Sequence, residues 1–198
     1  MSDMPPTERA PILPYCRVPI VVRDANAATP EVARRVAELI AKKRPGAVAE
    51  HVGSSAVPGL AGKGTVDLLL PTPAEEIPAV TEDLLALGFQ RQAVATAFPP
   101  TRPMLQGIIR HGDTSFRVHV HVVPAESPEV AALRGFRDAL LADPGLRREY
   151  EQLKRSIVDS GTVDSVAFSK AKHAWIVAAL ERLGLTEAVE EVKSGGLP

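Results

Sequence analysis

Residues 50–70 bring together two features that can do chemistry, a turn of small residues and a carboxylate in an apolar run. Gly53 and Ser54 open the turn, where small side chains leave backbone N–H groups free, which is how many proteins bind phosphate. Asp67 lies in the apolar run that follows, between a valine and a leucine. A buried carboxylate is costly unless it is paired or bound to a metal. This segment therefore predicts an anion site and a candidate metal ligand close together.

A second pair of reactive side chains, His119 and His121, alternates with valines within residues 116–123. Side chains alternate across a strand, so both imidazoles are expected on one face. If this strand neighbours the strand of Asp67, the three side chains share that face and suit Zn²⁺, Fe²⁺, Mn²⁺ or Ni²⁺ better than Mg²⁺. Two alternatives stay open: the histidines bind phosphate or act in acid–base chemistry, or they lie on a solvated face without a role.

Further side chains near these groups could bind or neutralise a phosphate. Lys63 precedes the acidic strand, and Lys170 and Lys172 stand at the start of the last predicted helix, where a cation opposes the helix macrodipole. Ser54 and Ser55 can hydrogen-bond a phosphate or stabilise the turn. The alternative for the lysines is a solvated surface position, which is where lysine is usually found.

Four other polar side chains have a structural interpretation beside a functional one. His51 precedes the Gly-Ser turn, and it either faces the site or lies in the core with one ring nitrogen paired. Arg137, Tyr150 and Lys154 fall in predicted helices, where we expect them to hold helix against helix.

The elements that must position these groups alternate between helices and strands. Helices are predicted at residues 30–44, 75–87, 128–141, 144–160 and 165–183, and three of them have a start signal, a polar residue before Pro, at Thr29, Ser127 and Asp143. Strands are predicted at residues 48–52, 65–70, 104–110 and 116–123, with a strand or extended lead-in at 18–22. This order predicts an α/β (α+β) fold with a mixed sheet, helices and a helical C-terminal part.

Length and composition set the domain plan. The chain has 198 residues, of which 45% are hydrophobic, enough for one real core. The proline-rich residues 1–15 are predicted to be a flexible N-terminal arm, residues 16–185 one domain, and residues 186–198 a C-terminal tail.

Composition also argues against some partners and compartments. A net charge of −1 gives no global attraction to nucleic acid, and an aromatic content of 4% gives no stacking platform for bases. The sequence shows no secretion leader and no apolar run long enough to cross a bilayer, so we expect no membrane partner. The single Cys16 fits a reducing compartment. A cytoplasmic location is expected.

Several motifs resemble the GrpB family, also called UPF0157. Residues 51–63 read HVGSSAVPGLAGK and lead to Asp67, and later pieces read VHVHV at 118–122, FRD at 136–138, EYEQLK at 149–154 and AK at 171–172. The resemblance spans about residues 19–183. It implies a nucleotidyltransferase-like fold, because that superfamily places a Gly-Ser turn about a dozen residues before an acidic strand.

The resemblance also implies roles for individual residues. Asp67, His119 and His121 would be catalytic and would hold a divalent metal ion, whether Mg²⁺, Mn²⁺, Zn²⁺ or Ni²⁺. The phosphates of a nucleotide or another phosphorylated small molecule would be bound by a second group of residues, namely Gly53, Ser54, Ser55, Lys63 and Lys172.

One position departs from the superfamily pattern. The second carboxylate of its Asp-x-Asp motif would fall at position 69, which is Leu69. Glu50, Asp113 and Glu126 are the nearest substitutes, and none fits well, so at most one tightly held metal is predicted. Three functions stay open: nucleotidyl or phosphoryl transfer from a nucleoside triphosphate, nucleotide or anion binding without turnover, and an accessory role related to the C-terminal extension of dephospho-CoA kinases.

Overall fold

A computed structural model describes residues 10–93, 98–185 and 189, and its centre is a five-stranded mixed sheet. The strands are β1 (Glu50–Val52), β2 (Thr65–Thr72), β3 (Gln90–Arg91), β4 (Met104–His111) and β5 (Thr114–Pro124), in the spatial order β1-β2-β5-β4-β3. Strands β2 and β5 pair in parallel, and every other pair is antiparallel. The predicted mixed sheet is confirmed, and its two parallel strands carry Asp67 and the two histidines.

Within the described residues, five α-helices cover the two faces of this sheet. They are α1 (Thr29–Lys43), α2 (Ile77–Ala86), α3 (Pro128–Ala142), α4 (Pro144–Asp159) and α5 (Ser165–Arg182). Helices α1 and α2 pack on one face, and the C-terminal helices lie on the other. The predicted helical C-terminal part is therefore a second layer that closes the sheet from outside.

The sheet face that packs against α1 and α2 has only apolar side chains in the middle of its two parallel strands, β2 and β5. Alternate residues of β2 and β5 point into it and pack against α1 and α2, and these residues are Val66, Leu68, Leu70, Val118, Val120 and Val122. All six are almost completely buried. Because side chains alternate along a strand, the residues between them must point to the opposite face, which brings Asp67 and the histidines under the C-terminal helices.

The opposite face mixes apolar contacts with ionisable groups. Leu69 packs with Val52, Val123 and Leu133, which joins β1, β2 and β5 to α3. Beyond this contact, Tyr150 of α4 packs against α3 and stacks on a tryptophan of α5, with 4.9 Å between the ring centroids. These apolar contacts pack α3 onto the sheet and α4 and α5 onto α3 and each other.

Most predicted element boundaries agree with the structure within two residues, but one helix start signal and one predicted strand differ. Helix α1 begins at Thr29 itself, and Ala28 occupies the cap position without a side-chain hydrogen bond, so the prediction that Thr29 caps the helix is wrong. The side chains of Ser127 and Asp143 do cap α3 and α4, because each accepts at least one hydrogen bond from a backbone N–H group in the first turn of its helix. The predicted lead-in at 18–22 forms no strand; its neighbour Arg23 makes one isolated bridge to Gly62.

The N-terminal segment follows the edge of the domain from residue 10 onward. Ile12 is buried at 2% exposure, and Leu13 pairs with Ile108 of β4. The backbone N–H of Tyr15 donates to the side-chain oxygen of Gln90 at 3.0 Å. The predicted arm thus packs on the sheet from residue 10 onward, whereas residues 1–9 lie outside the described part of the chain, as does the predicted tail apart from residue 189.

None of the helices that the structure describes combines the length and the hydropathy that a bilayer-crossing segment needs.

Candidate metal and phosphate site

Asp67, His119 and His121 converge on one face of the parallel strand pair, as their alternation predicts. Asp67 pairs in register with His119, and Oδ1 of the carboxylate lies 3.4 Å from His119 Nδ1 and 4.0 Å from His121 Nε2. One ligand atom from each of the three side chains lies within 4.8 Å of the others. We refer to these three residues as the triad.

The spacing of the triad fits a single divalent cation. Tetrahedral coordination with bonds of about 2.0–2.2 Å places neighbouring ligand atoms about 3.3–3.6 Å apart. The Asp67–His119 pair has this separation at 3.4 Å, and His121 Nε2, at 4.0 Å from Asp67 Oδ1, lies slightly outside it. Nδ1 of His121 is buried and has no hydrogen-bond partner among the described residues. The donor set and this unsatisfied ring both suit a bound ligand.

Tyr15 orients the ring of His119. Its hydroxyl lies 3.2 Å from His119 Nε2, so the other ring nitrogen, Nδ1, is left facing Asp67. A partner of this kind on the outer nitrogen fixes the tautomer and the direction of a metal-binding histidine. Tyr15 falls in the predicted arm, and the sequence offers no pattern that links it to a histidine 104 residues away.

The protonation states of the triad also suit metal binding. Burial alone would raise the pKa of Asp67, but hydrogen bonds with His119 and His121 and the charge of Lys63 bring that pKa well below its usual range. Burial lowers the pKa of His119 to about 4, although its contact with Asp67 opposes this shift. At neutral pH the carboxylate is therefore ionised and the His119 imidazole is neutral, which are the forms that bind metals.

The Gly-Ser turn approaches the carboxylate from β1. Gly53 has φ 68° and ψ −168°, a conformation that is essentially restricted to glycine. A Cβ atom at this position would lie 3.3 Å from Asp67 Oδ2. Glycine is therefore required at position 53 both by backbone conformation and by the close approach of the carboxylate.

The two serines of the turn have different surroundings. Ser55 Oγ accepts a hydrogen bond from the backbone N–H of Asp67 at 3.2 Å and lies 3.0 Å from Nε2 of His51. This hydroxyl therefore ties the turn to β2, and His51 is paired with it rather than directed at the triad. Ser54 borders the cavity that contains the triad, together with Gly53.

Two of the predicted phosphate-binding lysines border the same cavity. Lys63 reaches it from the loop before β2, and Lys172 reaches it from α5, where its side chain is 8% exposed. Nζ of Lys172 lies 5.0 Å from the centroid of the Phe168 ring. Burial lowers the pKa of Lys63 and brings that of Lys172 to about 8. Lys170, two residues before Lys172 on α5, is exposed and does not border this cavity.

A third lysine, Lys154 of α4, joins them, which sequence reasoning missed. It was expected to hold helix against helix, but its side chain is 2% exposed and borders the cavity of the triad. Its Nζ donates to the carbonyl of Ala61 and lies 4.7 Å from the Tyr150 ring centroid. Burial lowers its pKa to about 7. The overlooked signal is its spacing, because it follows Leu146 and Tyr150 at four-residue intervals on the buried stripe of α4.

The cavity is small and continues into wider clefts. The chamber bordered by the triad and the three lysines has a volume of about 80 Å³. A cleft of about 370 Å³ adjoins it at Lys63 and His119, and it is bordered by Tyr15, Gln106 and Arg117. Another cleft of about 530 Å³ shares Ser54, Lys63 and Asp67 with the chamber and extends toward the start of α1.

Comparisons with known proteins point to one family, GrpB, also called UPF0157. The family described as GrpB protein matches residues 19–182. A UPF0157 protein of Pseudomonas aeruginosa is 33% identical over 175 residues, which cover 82% of this chain and 67% of the relative. A dephospho-CoA kinase of Mycolicibacterium paratuberculosis is 30% identical over 157 residues, which cover 67% of this chain and 38% of the kinase.

A solved structure of the same family shows the same fold. The structure of the conserved protein GrpB from Enterococcus faecalis superposes with a TM-score of 0.64 at 20% identity, covering 86% of this chain and 98% of that one. A terminal U-transferase and the polymerase core of TRAMP overlap more loosely, with TM-scores of 0.43 and 0.46.

Proposed function

The chain belongs to the GrpB family, and from this premise we propose that it is a metal-dependent enzyme that transfers a nucleotidyl or phosphoryl group from a nucleoside triphosphate. The observation that carries the proposal is the convergence of the triad beside the Gly53-Ser54 turn, which brings candidate metal ligands and a candidate phosphate site into one cavity. A divalent metal held by the triad would polarise a phosphate oxygen and offset the charge that develops during transfer.

The protein's own residues would bind and orient the phosphates. Ser54 and the backbone of the turn would donate hydrogen bonds, and Lys63 and Lys172 would neutralise charge. The helices α4 and α5 would exclude water, which strengthens every electrostatic contact in the cavity. The nucleoside would lie in the adjoining cleft of about 370 Å³, a volume within the usual range for small-molecule sites.

The proposal requires one metal ion. Leu69 is fully buried among apolar side chains, so the position of the second carboxylate is part of the core. Of the acids considered as substitutes, Glu50 forms an ion pair with Arg134 at 2.5 Å. Within the described residues, Asp67 is the one carboxylate in the candidate metal cluster. Mn²⁺, Zn²⁺ or Ni²⁺ suits this donor set better than Mg²⁺.

Two observations favour alternatives to turnover. Leu69 in place of a second acid favours a protein that binds a nucleotide or another anion without reaction. The similarity to a dephospho-CoA kinase, over 38% of that kinase, favours an accessory role of the kind carried by an extension of such enzymes. In each case the ligand would be a phosphorylated small molecule rather than nucleic acid.

The proposed location is the cytoplasm, because the free, exposed Cys16 is compatible with a reducing compartment.

Metal content, nucleotide binding and turnover test the proposal together. Purified protein would be freed of metal, reloaded with Mn²⁺ or Zn²⁺, and incubated with ATP while the formation of pyrophosphate, the leaving group of nucleotidyl transfer, and of ADP, the leaving group of phosphoryl transfer, is measured. We expect one metal ion per chain, the largest rise in thermal stability when metal and ATP are both present, and release of one of the two products. Asp67→Asn should abolish metal binding, and Asp113→Asn, in the hairpin turn, is the matched control.

The outcomes separate the three functions. Stabilisation by ATP without product release would favour the binding protein. No effect of metal or ATP would favour the accessory role. Equal metal content in wild type and Asp67→Asn would overturn the assignment of the triad.

A further inference from the structure

Three lysines from separate elements face one chamber that contains a single carboxylate. Lys63 comes from the loop before β2, Lys154 from α4 and Lys172 from α5. We propose that these lysines form an oxyanion site that binds the terminal phosphate of the ligand without help from a metal ion. The proposal deepens the proposed function and rests on it, because it concerns the same cavity and the same phosphorylated ligand.

Lys154 is the strongest part of this site. Lys154 is only 2% exposed. Even so, no carboxylate among the described residues forms an ion pair with it; the neighbouring Glu151 pairs with Arg155 instead. An ammonium group has three N–H donors, and the carbonyl of Ala61 accepts one of them. The ring of Tyr150 offers a second, weaker contact. A cation so deeply buried needs an anion, and the chamber beside it is where one can bind.

Lys172 meets Lys154 from the neighbouring helix. It is also more than nine-tenths buried, and its described contact is the face of Phe168 rather than an acid. Lys63, which is half-buried, lies on the sheet side of the chamber. The opposing charge is Asp67, whose carboxylate is already engaged with His119 and His121. One carboxylate against three lysines leaves the chamber with an excess of positive charge for an oxyanion to balance.

The size of the chamber limits what can enter. At about 80 Å³ the chamber is much smaller than the adjoining clefts of about 370 Å³ and 530 Å³, so it suits the compact charged end of a ligand, and the clefts suit its larger organic part. The ligand would therefore enter phosphate first, and its organic part would remain in the adjoining cleft that opens at Lys63 and His119.

This geometry assigns two of the three lysines of the anion site to the C-terminal helices, because Lys154 and Lys172 lie on the layer that closes the sheet. A purely structural role for Lys154, as a tether between α4 and the Ala61 carbonyl, would not require any anion. The two roles differ in one measurable respect, the affinity for a simple oxyanion in the absence of metal.

The test uses inorganic phosphate and pyrophosphate as probes, with EDTA present to remove metal ions. Binding to the full-length protein would be measured by calorimetry for wild type, Lys154→Met and Lys172→Met. Methionine keeps the length of the apolar stem and removes the charge. Lys170→Met, on the same helix but exposed, is the matched control. Thermal unfolding and circular dichroism would verify that each variant is folded, and Lys154→Arg provides a second variant that retains the charge.

We expect wild type to bind at least one of the two probes in EDTA, and each methionine variant in the chamber to bind about tenfold or more weakly, because a charge-assisted hydrogen bond is lost. Lys170→Met should bind as wild type does, and Lys154→Arg more tightly than Lys154→Met. Absence of binding in wild type, or equal losses in Lys170→Met, would overturn the lysine site. Phosphate binding that depends on these lysines, without any effect of metal or turnover, would support the site and count against the proposed enzyme.

Discussion

Asp67 and His119 stand opposite each other across two parallel strands, with 3.4 Å between Oδ1 and Nδ1. The same row of the sheet continues through Gln106 on β4 to Gln90 on β3, and Tyr15 bridges it by bonding both Gln90 and His119. Polar side chains of four strands therefore lie in one line on one face. Because strands rather than loops position it, the triad should change little in geometry when a ligand binds.

Replacing Gly53 by alanine should destabilise the protein and disturb the triad. The residue combines a backbone conformation that non-glycine residues rarely adopt with a close approach to Asp67 Oδ2. We expect Gly53→Ala to lower the free energy of unfolding by about 2–3 kcal/mol and to weaken metal binding. Gly59→Ala is the control, because Gly59 also has positive φ but has open space around it. Urea denaturation that gives equal losses for both variants would show that the contact with Asp67 is unimportant.

The two serines of the turn should respond differently to alanine substitution. Ser55→Ala leaves the backbone N–H of Asp67 without its acceptor, so we expect a loss of about 1–3 kcal/mol in the free energy of unfolding. Ser54→Ala should leave stability near that of wild type and reduce affinity for phosphate or ATP. Chemical denaturation and calorimetry on the same two samples give both quantities. The reverse pattern, a stable Ser55→Ala and an unstable Ser54→Ala, would contradict these roles.

Stability of the ligand-free protein should increase from pH 7 to pH 9. Burial brings the pKa of Lys154 to about 7 and that of Lys172 to about 8, against a usual value of 10.5. The unfolded chain therefore binds more protons than the folded one in this range, and the free energy of unfolding rises as pH rises. We expect a gain of about 2–4 kcal/mol. Denaturation at several pH values should give a shallower slope for Lys154→Met and an unchanged slope for Lys170→Met, whereas a flat wild-type profile would contradict the burial of charged lysines.

Introducing an acid at position 69 should not restore a second metal site. Leu69 points to the triad face, but it is fully buried with Val52, Val123 and Leu133. We expect Leu69→Asp to lose more than about 3 kcal/mol of unfolding free energy, because a carboxylate would be buried among apolar groups. Leu69→Met keeps the volume and should lose less than about 1.5 kcal/mol. A stable Leu69→Asp variant with two bound metal ions would show that this position is open to the site.

Much of the sheet and the triad follows from strand periodicity. The alternation of His119 and His121 with valines predicts both the apolar face under α1 and the shared face with Asp67, and the structure has both arrangements. Neither prediction needs long-range information beyond the pairing of β2 with β5. Local signals also locate Ser127 and Asp143 as helix caps.

The sequence did not reveal contacts that depend on distant segments packing together. Tyr15 reaches His119 because the N-terminal segment crosses the sheet edge, and no local pattern encodes that path. The sequence predicts only that Lys154 holds helix against helix, because lysines are rarely buried and its partner, the Ala61 carbonyl, is 93 residues away. Its four-residue spacing from Leu146 and Tyr150 is the signal that would have placed it on the buried stripe of α4, but only tertiary packing shows what that stripe covers.

The two helical layers differ in what they bury, and this has a consequence for how the fold opens. Detaching α1 and α2 would expose mainly hydrocarbon, whereas detaching α4 and α5 would also return Lys154 and Lys172 to water, which favours their charged forms. Sub-global opening should therefore begin at the C-terminal layer, and amide hydrogen exchange should be faster in α4 and α5 than in β2 and β5. A bound oxyanion would slow that exchange, so the ligand would act as the counterion that holds the C-terminal layer on the sheet.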